Sequence, residues 1–202
     1  MIGMVGLIED AAKYVTQDFK KDGDAIVLLG NPAGSLAGSE YLYRIHKQKK
    51  GNPGIDIEFE KKVQAACLEA IQAGLVRSAH DLSEGGFAVC AAESCVSNEK
   101  GMHGAELRTD AFFQKGVRLD EILFGEAPSR ILVTSDPKDL AGFEKIAAKH
   151  SVPCFRIGTV GGDRLIIRNG GSDVINLSVR DLNHTWRRSI PVKAGLPLPS
   201  AR

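Results

Sequence analysis

The stretch RSAHDLSEGGF, residues 77–87, joins a predicted strand to a predicted helix across two adjacent glycines. Apolar spacing predicts a strand over residues 76–80, and residues 84–96 form a helical pattern rich in Ala and Cys. Backbone N–H groups at the start of a helix are free and partly positive, so such a turn favours anions. We interpret His80, at the strand end, as a hydrogen-bonded residue and not as a catalytic base. The turn is therefore the first candidate for a ligand site.

Asp81 is unexpected in a turn that favours anions, because its carboxylate repels a phosphate. A Mg²⁺ ion between the two would remove this conflict, since Mg²⁺ is commonly held by one or two carboxylates and by phosphate oxygens. The pattern suggests Asp81 as a metal ligand, with the Ser83 hydroxyl and the backbone of Gly85 and Gly86 beside the phosphate. A second interpretation stays open, in which Asp81 and Glu84 form a variant of the capping box.

Two other segments contain candidate residues in less specific patterns. Residues 30–39 also lead from a strand to a helix, and Gly34 and Gly38 would let the backbone approach a ligand. This segment matches neither the phosphate-loop nor the dinucleotide-binding pattern, and a tight connecting loop is the alternative. Glu126 and Arg130 stand near the start of a predicted strand, and we interpret them as a structural ion pair.

The composition is that of a globular protein and indicates neither a nucleic-acid nor a membrane partner. Of the 202 residues, 43% are hydrophobic and 25% charged, and 26 Lys and Arg against 25 Asp and Glu leave a formal net charge of +1. The apolar runs are too short to span a bilayer. The four cysteines lack metal-binding spacing, which predicts free thiols and a cytoplasmic location.

Strand and helix patterns alternate along the rest of the chain. Strands are predicted at residues 25–29, 130–134, 155–160, 164–167 and 174–177, and helices at residues 41–45, from 58 to 74, from 136 onward and around Trp186. Residues 1–8 are predicted as a strand with nothing before it to pair, and residues 110–120 as irregular. Since short turns join several strands directly, we expect an α/β or α+β sandwich with a mixed sheet covered by helices.

Six stretches, taken together and in order, resemble one known family. The chain is similar to the AIR-synthase-related C-terminal domain, in the form found in phosphoribosylformylglycinamidine synthases, the synthetase component of purine biosynthesis. The stretches are IGMVGL (2–7), AGSEYL (37–42), SAHDLSEGG (78–86), LFGE with SR (123–126, 129–130), IGTV (157–160) and LNHTWRRSI (182–190). Ala37 stands where the family pattern has a glycine. The agreement extends over nearly the whole chain, so it is more specific than any single motif.

The resemblance implies a division of the chain and a place in a larger enzyme. Residues 1–8 would be a remnant strand of a preceding N-terminal-type domain, residues 9–190 the C-terminal-type domain, and residues 191–202 a loose tail. The catalytic residues of the family match positions outside this sequence. We therefore assign no catalytic residue and expect the isolated chain to be inactive.

The whole enzyme is implied to be an ATP-dependent carbon–nitrogen ligase. It converts formylglycinamide ribonucleotide, with ammonia that a glutaminase subunit releases from glutamine, into the amidine. In longer family members, residues that match Asp81 and Ser83 contact Mg²⁺ and the phosphate of bound ATP or ADP, so this chain is expected to contribute part of a Mg-nucleotide site. Its partners would include the N-terminal part of the synthetase.

Two alternatives to this interpretation stay open. The chain could be a stand-alone, non-catalytic nucleotide-binding module of the same fold. It could also belong to another enzyme of the superfamily, such as AIR synthase or selenophosphate synthetase. The segments at residues 39–41 and 123–130 favour the first interpretation.

Overall fold

The computed structural model describes residues 5–8, 10–112 and 116–196 and centres on one seven-stranded sheet. The strands are β1 Ala25–Gly30, β2 Ser78–Asp81, β3 Ala105–Arg108, β4 Arg130–Ser135, β5 Cys154–Val160, β6 Arg164–Asn169 and β7 Ser172–Ser178. The helices are α1 Glu40–His46, α2 Ile57–Gln72, α3 Gly86–Val96, α4 Leu119–Phe124, α5 Leu140–Lys149 and α6 Val179–Ala194, with a 3₁₀ turn at Thr109–Ala111. The strand order is β2-β4-β1-β5-β3-β6-β7.

The sheet is mixed, as predicted. Among the described strands, neighbours run antiparallel except β3 and β6, which pair in parallel from Ala105 opposite Leu165 to Arg108 opposite Arg168. The chain between these two strands forms α4, β4, α5 and β5 before it returns. The prediction of an α+β sandwich with a mixed sheet between helices is confirmed.

Helices cover both faces of the sheet, and the central strand β1 contributes to both hydrophobic clusters. Ala25, Val27 and Leu29 pack in the cluster beneath α2 and α5. Ile26 and Leu28 pack on the opposite face, in the cluster that includes residues of α3, α4 and α6. Since every residue of β1 is buried, its sequence is a continuous apolar run and not an alternating one.

Two elements are not predicted by the sequence patterns, and several helix ends differ from their predicted positions; helix α3, for example, begins at Gly86 and not at residue 84. Strand β3 has four residues and helix α4 has six, so neither is long enough for a clear hydrophobic period. Helix α5 begins at Leu140, later than predicted, because the Asp136 carboxylate accepts the Lys138 N–H at 3.1 Å and closes a turn first.

The C-terminal helix α6 corrects the prediction that the chain becomes a loose tail at residue 191. The helix continues through Pro191 to Ala194 and ends at Gly195, whose φ of +65° provides a left-handed cap. The Leu196 N–H donates to the Pro191 carbonyl oxygen at 2.9 Å. The rest of the predicted tail, residues 197–202, lies outside the described residues.

The predicted strand at residues 1–8 is described only over residues 5–8, which are exposed and have no regular secondary structure. Residues 1–4 and 9 lie outside the described part of the chain. Further along, Thr16 forms an isolated parallel bridge with Ser78, on the outer side of the edge strand β2. Within the described residues, none of the helices has the length and apolarity needed to cross a membrane.

Candidate functional site

The predicted site lies where the edge strand β2 ends and helix α3 begins. Asp81 is the last residue of β2 and pairs with Ile131 of β4. Gly85 is the N-cap of α3, with a φ of +82°, and Gly86 follows with a φ of +66°. The helix start has no side-chain capping hydrogen bond, so Asp81 and Glu84 do not form the capping box that the spacing also allowed.

The Asp81 carboxylate is exposed and belongs to a chain of charged contacts. Its side chain is 72% exposed, and one oxygen lies 3.5 Å from Nδ1 of His80, whose own side chain is 11% exposed. The other ring nitrogen of His80, Nε2, lies 3.0 Å from the carboxylate of Glu93 on α3. The Ser83 hydroxyl donates to the second Asp81 oxygen. His80 therefore links the exposed carboxylate to one on the helix.

These contacts fix the charge of both groups. Burial alone would lower the pKa of His80, but its contacts with Asp81 and Glu93 outweigh burial and raise the pKa to about 9. The contact with His80 holds the pKa of Asp81 far below its usual range, against the desolvation that would raise it, and the Ser83 hydroxyl lowers it further. At neutral pH the site therefore presents an ionised carboxylate beside a protonated imidazole.

The two glycines predicted to lie beside a phosphate have acceptors for their N–H groups within the chain. The Gly85 N–H donates to Oε1 of Glu126 at 2.8 Å. The Gly86 N–H donates to the Ser83 carbonyl oxygen at 3.0 Å. A Cβ on Gly86 would lie 2.5 Å from the Gly125 carbonyl oxygen, so glycine is required here by close packing. Phosphate binding by these two residues stays a prediction.

Glu126 and Arg130 are structural residues, but they do not bond to each other. Arg130 is buried and donates to the main-chain carbonyl oxygens of Ala127, at 3.0 Å, and Gly125, at 2.5 Å. Glu126 accepts the N–H of Gly85 and also that of Glu40, at 2.9 Å. The predicted ion pair is thus replaced by two sets of hydrogen bonds to the backbone.

The loop at residues 30–39 is adjacent to the same site. The Glu126 N–H donates to the Ser35 carbonyl oxygen at 2.8 Å, and the chain then enters α1 at Glu40. A Cβ on Gly34 would collide with the Glu121 carbonyl oxygen, so this glycine serves packing against α4. Gly38 has a φ of +70° and faces the Pro53 ring. The structure brings the loop to the β2–α3 turn through Glu126.

Sequence reasoning misses one residue of the site, Glu93, and the hydrogen-bonding role of another, Glu126. Glu93 lies more than one helical turn beyond the stretch at residues 77–87. The sequence marks it only as the acidic residue in a helix of otherwise apolar and small residues. Glu126 lies in a quoted stretch, but its partners Glu40 and Gly85 are 86 and 41 residues away, which no local pattern reveals.

The side chains of the turn fit a partial magnesium site. In residues 5–8, 10–112 and 116–196 there is no cluster of three or more His, Cys, Asp or Glu side chains that could hold a metal ion. Asp81 offers one exposed, ionised carboxylate, and Ser83 offers a hydroxyl beside it. Mg²⁺ keeps several waters and binds through one or two carboxylates plus phosphate oxygens, so a single carboxylate is compatible with a phosphate-completed site.

Comparison with known proteins gives the family. The sequence model described as AIR synthase related protein, C-terminal domain, matches residues 21–168. The phosphoribosylformylglycinamidine synthase subunit PurL of Thermoanaerobacter sp. (strain X514) is 41% identical over 191 residues, which are 94% of this chain and 25% of that protein. The chain therefore spans about a quarter of the length of the curated relatives it matches.

Solved structures agree with the sequence comparison. T. maritima PurL complexed with FGAR is 25% identical, with a TM-score of 0.73, over 86% of this chain and 30% of that one. T. maritima PurL complexed with ATP is 24% identical, with a TM-score of 0.69, over 86% of this chain and 28% of that one. The sequence model matches most of the chain, and the fold agrees with that match. The chain therefore belongs to the family of AIR synthase related proteins, C-terminal domain.

Proposed function

We propose that this chain acts as the C-terminal-type domain of a phosphoribosylformylglycinamidine synthase. The observation that carries the proposal is the 41% identity to a PurL subunit along 94% of the chain. T. maritima PurL has been solved with ATP and with FGAR, and we extend both ligands to the enzyme that contains this chain. The proposed activity is ATP-dependent ligation in purine biosynthesis.

In the proposed reaction, ATP phosphorylates the glycinamide carbonyl oxygen of formylglycinamide ribonucleotide, and ammonia displaces the phosphate to leave the amidine. The chain spans a quarter of its relatives, so the rest of the synthetase would supply the catalytic residues and a glutaminase subunit the ammonia. Residues 1–8 belong, in this proposal, to a preceding domain, and the domain itself extends to the end of α6. Its four free cysteines fit a cytoplasmic enzyme.

Within that enzyme, we assign the β2–α3 turn to a Mg-nucleotide site. Asp81 would hold Mg²⁺. With the charge of Asp81 neutralised by the cation, the Ser83 hydroxyl would donate a hydrogen bond to a phosphate oxygen. Mg²⁺ supplies positive charge that neutralises the phosphates. The ion pair with His80 keeps Asp81 ionised, and Glu93 keeps His80 in place. The glycines Gly85 and Gly86 shape the turn and place its backbone next to the phosphate.

A chimera tests the proposed function directly. The region of the Thermoanaerobacter PurL subunit that matches this chain, 191 residues, is replaced by this chain. We expect the chimera to form the amidine from formylglycinamide ribonucleotide, ATP and ammonia, whereas the isolated chain forms none. A folded chimera without this activity, or turnover by the isolated chain, would contradict the proposal.

Calorimetry tests the nucleotide site separately. We expect the chain to bind Mg·ADP weakly and Asp81→Asn to weaken that binding about tenfold or more, because a neutral amide is a poor Mg²⁺ ligand. The matched control is Asp163→Asn, an exposed aspartate between β5 and β6, which should leave the affinity unchanged. Equal affinities of Asp81→Asn and Asp163→Asn for Mg·ADP would show that Asp81 does not contribute to binding.

A further inference from the structure

Glu126, in the segment after α4, connects that segment to two others, residues 35–40 and the β2–α3 turn. Its N–H donates to the Ser35 carbonyl oxygen at 2.8 Å, in the loop that precedes α1. Its Oε1 accepts the Glu40 N–H at 2.9 Å, at the first residue of α1. The same oxygen accepts the Gly85 N–H at 2.8 Å, at the N-cap of α3. Three hydrogen bonds of one residue therefore fix three segments relative to one another.

The carboxylate lies where its charge is most stabilising. Gly85 and Glu40 belong to helix starts, whose N–H groups have no partner within the helix and carry partial positive charge. Hydrogen bonds from such groups to an ionised carboxylate are stronger than bonds between neutral groups. Glu126 is half-buried. The nearby Arg130 donates to backbone carbonyl oxygens and not to Glu126. The Glu126 carboxylate therefore has the backbone N–H groups of Glu40 and Gly85 as its hydrogen-bonding partners.

The contact at Gly85 is transmitted to Asp81 by a short path. The Gly86 N–H donates to the Ser83 carbonyl oxygen, which closes the turn between the two residues. The Ser83 hydroxyl then donates to the Asp81 carboxylate. Fixing Gly85 thus fixes one end of a turn whose other end carries the two side chains assigned to the nucleotide site.

We infer that Glu126 is a positioning residue for the Mg-nucleotide site, acting through its hydrogen bond to the Gly85 N–H. The inference rests on the proposed function for the meaning of the site, but the hydrogen-bond path stands on the structure alone. Loss of the carboxylate frees the Gly85 N–H and loosens the turn that carries Asp81 and Ser83. Loss of the negative charge with retention of the acceptor oxygen leaves the turn in place.

Two substitutions separate these effects. Glu126→Ala removes the acceptor, and Glu126→Gln keeps an oxygen that can accept both N–H groups without the charge. Glu99→Gln, at an exposed position after α3, is the matched control for a lost negative charge. Amide hydrogen exchange at Gly85 and Glu40, measured on the chain without ligand, reports the positioning itself.

We expect Glu126→Ala to speed exchange at Gly85 and Glu40 about tenfold or more, while amides in β1 keep the protection of the wild type. Glu126→Gln should restore most of the protection, and Glu99→Gln should match the wild type. Unchanged exchange at Gly85 in Glu126→Ala overturns the inference. So does equal loss of protection in Glu126→Ala and Glu126→Gln, because the acceptor oxygen would then have no role.

Binding of Mg·ADP to the same variants connects the position to the site. Measured where every variant is fully folded, Glu126→Ala should weaken binding about tenfold, and Glu126→Gln should lie within about threefold of the wild type. Unaltered affinity in folded Glu126→Ala shows a merely structural residue and overturns the inference. If the wild type itself binds no Mg·ADP, the nucleotide assignment under the proposed function fails, while the exchange data still decide the role of Glu126.

Discussion

Replacement of Gly86 by alanine measures how closely the β2–α3 turn packs on the segment after α4. Gly86 has a φ of +66°, a conformation that L side chains rarely adopt. A Cβ added there would lie 2.5 Å from the Gly125 carbonyl oxygen and 2.8 Å from the Phe124 carbonyl carbon. Both are backbone atoms, which cannot turn aside as a flexible side chain can.

The expected cost has two parts that can be separated. An alanine in the left-handed region costs about 1–2 kcal/mol relative to the right-handed one. Overpacking against a fixed neighbour costs a further 1–3 kcal/mol or so. Gly74, after α2, has a φ of +73° and nothing within 4 Å of its added Cβ, so Gly74→Ala carries the conformational part alone. We expect Gly86→Ala to destabilise the chain by about 2–5 kcal/mol and Gly74→Ala by about 1–2 kcal/mol.

Urea unfolding of the wild type and both variants, followed by circular dichroism, gives the three free energies of unfolding. The difference between the two variants is the cost of the close approach at Gly86. If Gly86→Ala is no more destabilised than Gly74→Ala, the turn is not held against residues 124–125, and the packing explanation for this glycine is wrong. The same result would favour the original expectation that Gly86 is needed for a ligand.

Two other predictions concern titration and reactivity. The pKa of His80 is about 9 in the folded chain against an ordinary 6.5, so its contribution to stability is complete below about pH 6.5 and is lost as the pH rises through 9. At about 1.4 kcal/mol per pH unit, the rise of the pKa from 6.5 to about 9 sets a ceiling of about 3.5 kcal/mol, and the exposure of Asp81 reduces it to about 1–3 kcal/mol. We expect the free energy of unfolding, measured in the presence of a chelator, to be lower for His80→Gln than for the wild type by this amount at about pH 6 and equal to it at about pH 10. A difference between the two proteins that does not change with pH would refute this prediction. Burial raises the pKa of Cys67 to about 11 and that of Cys95 to about 12. We therefore expect iodoacetamide to modify the half-buried Cys154 first in the native chain and all four thiols in urea. Equal rates of modification of the four thiols in the native chain would contradict this prediction.

The sequence predicts the long elements of the fold well and the short ones poorly. Strand β1 and helix α2 have enough residues for an unambiguous apolar pattern, and both lie where they are predicted. Strand β3 is recognisable only through its neighbours β5 and β6, which are contributed by chain more than 45 residues away. Helix α6 continues beyond residue 191, where the loose tail is predicted to begin, and it ends at Gly195.

At the candidate site, the local spacing of residues identifies the turn but not the hydrogen-bonding partner of each residue. The adjacent glycines suggest an anion site at the start of α3, and the structure does contain an anion there, the carboxylate of Glu126. Its position is fixed by contacts between segments that are remote in sequence. The pairing of Asp81 with His80 is local, but the raised pKa of His80 also needs Glu93, which the folding of α3 brings to 3.0 Å.

The distribution of charge at the turn bears on where its other ligands come from. The side chains of His80 and Glu93 are 11% and 32% exposed, whereas that of Asp81 is 72% exposed. One carboxylate and one hydroxyl leave most of an octahedral Mg²⁺ shell to water, phosphate oxygens or groups beyond the described residues. The N–H groups of Gly85 and Gly86, which would otherwise attract phosphate, are engaged by Glu126 and Ser83. In the proposed nucleotide site, affinity should therefore depend on the cation and on groups outside this chain more than on the helix start.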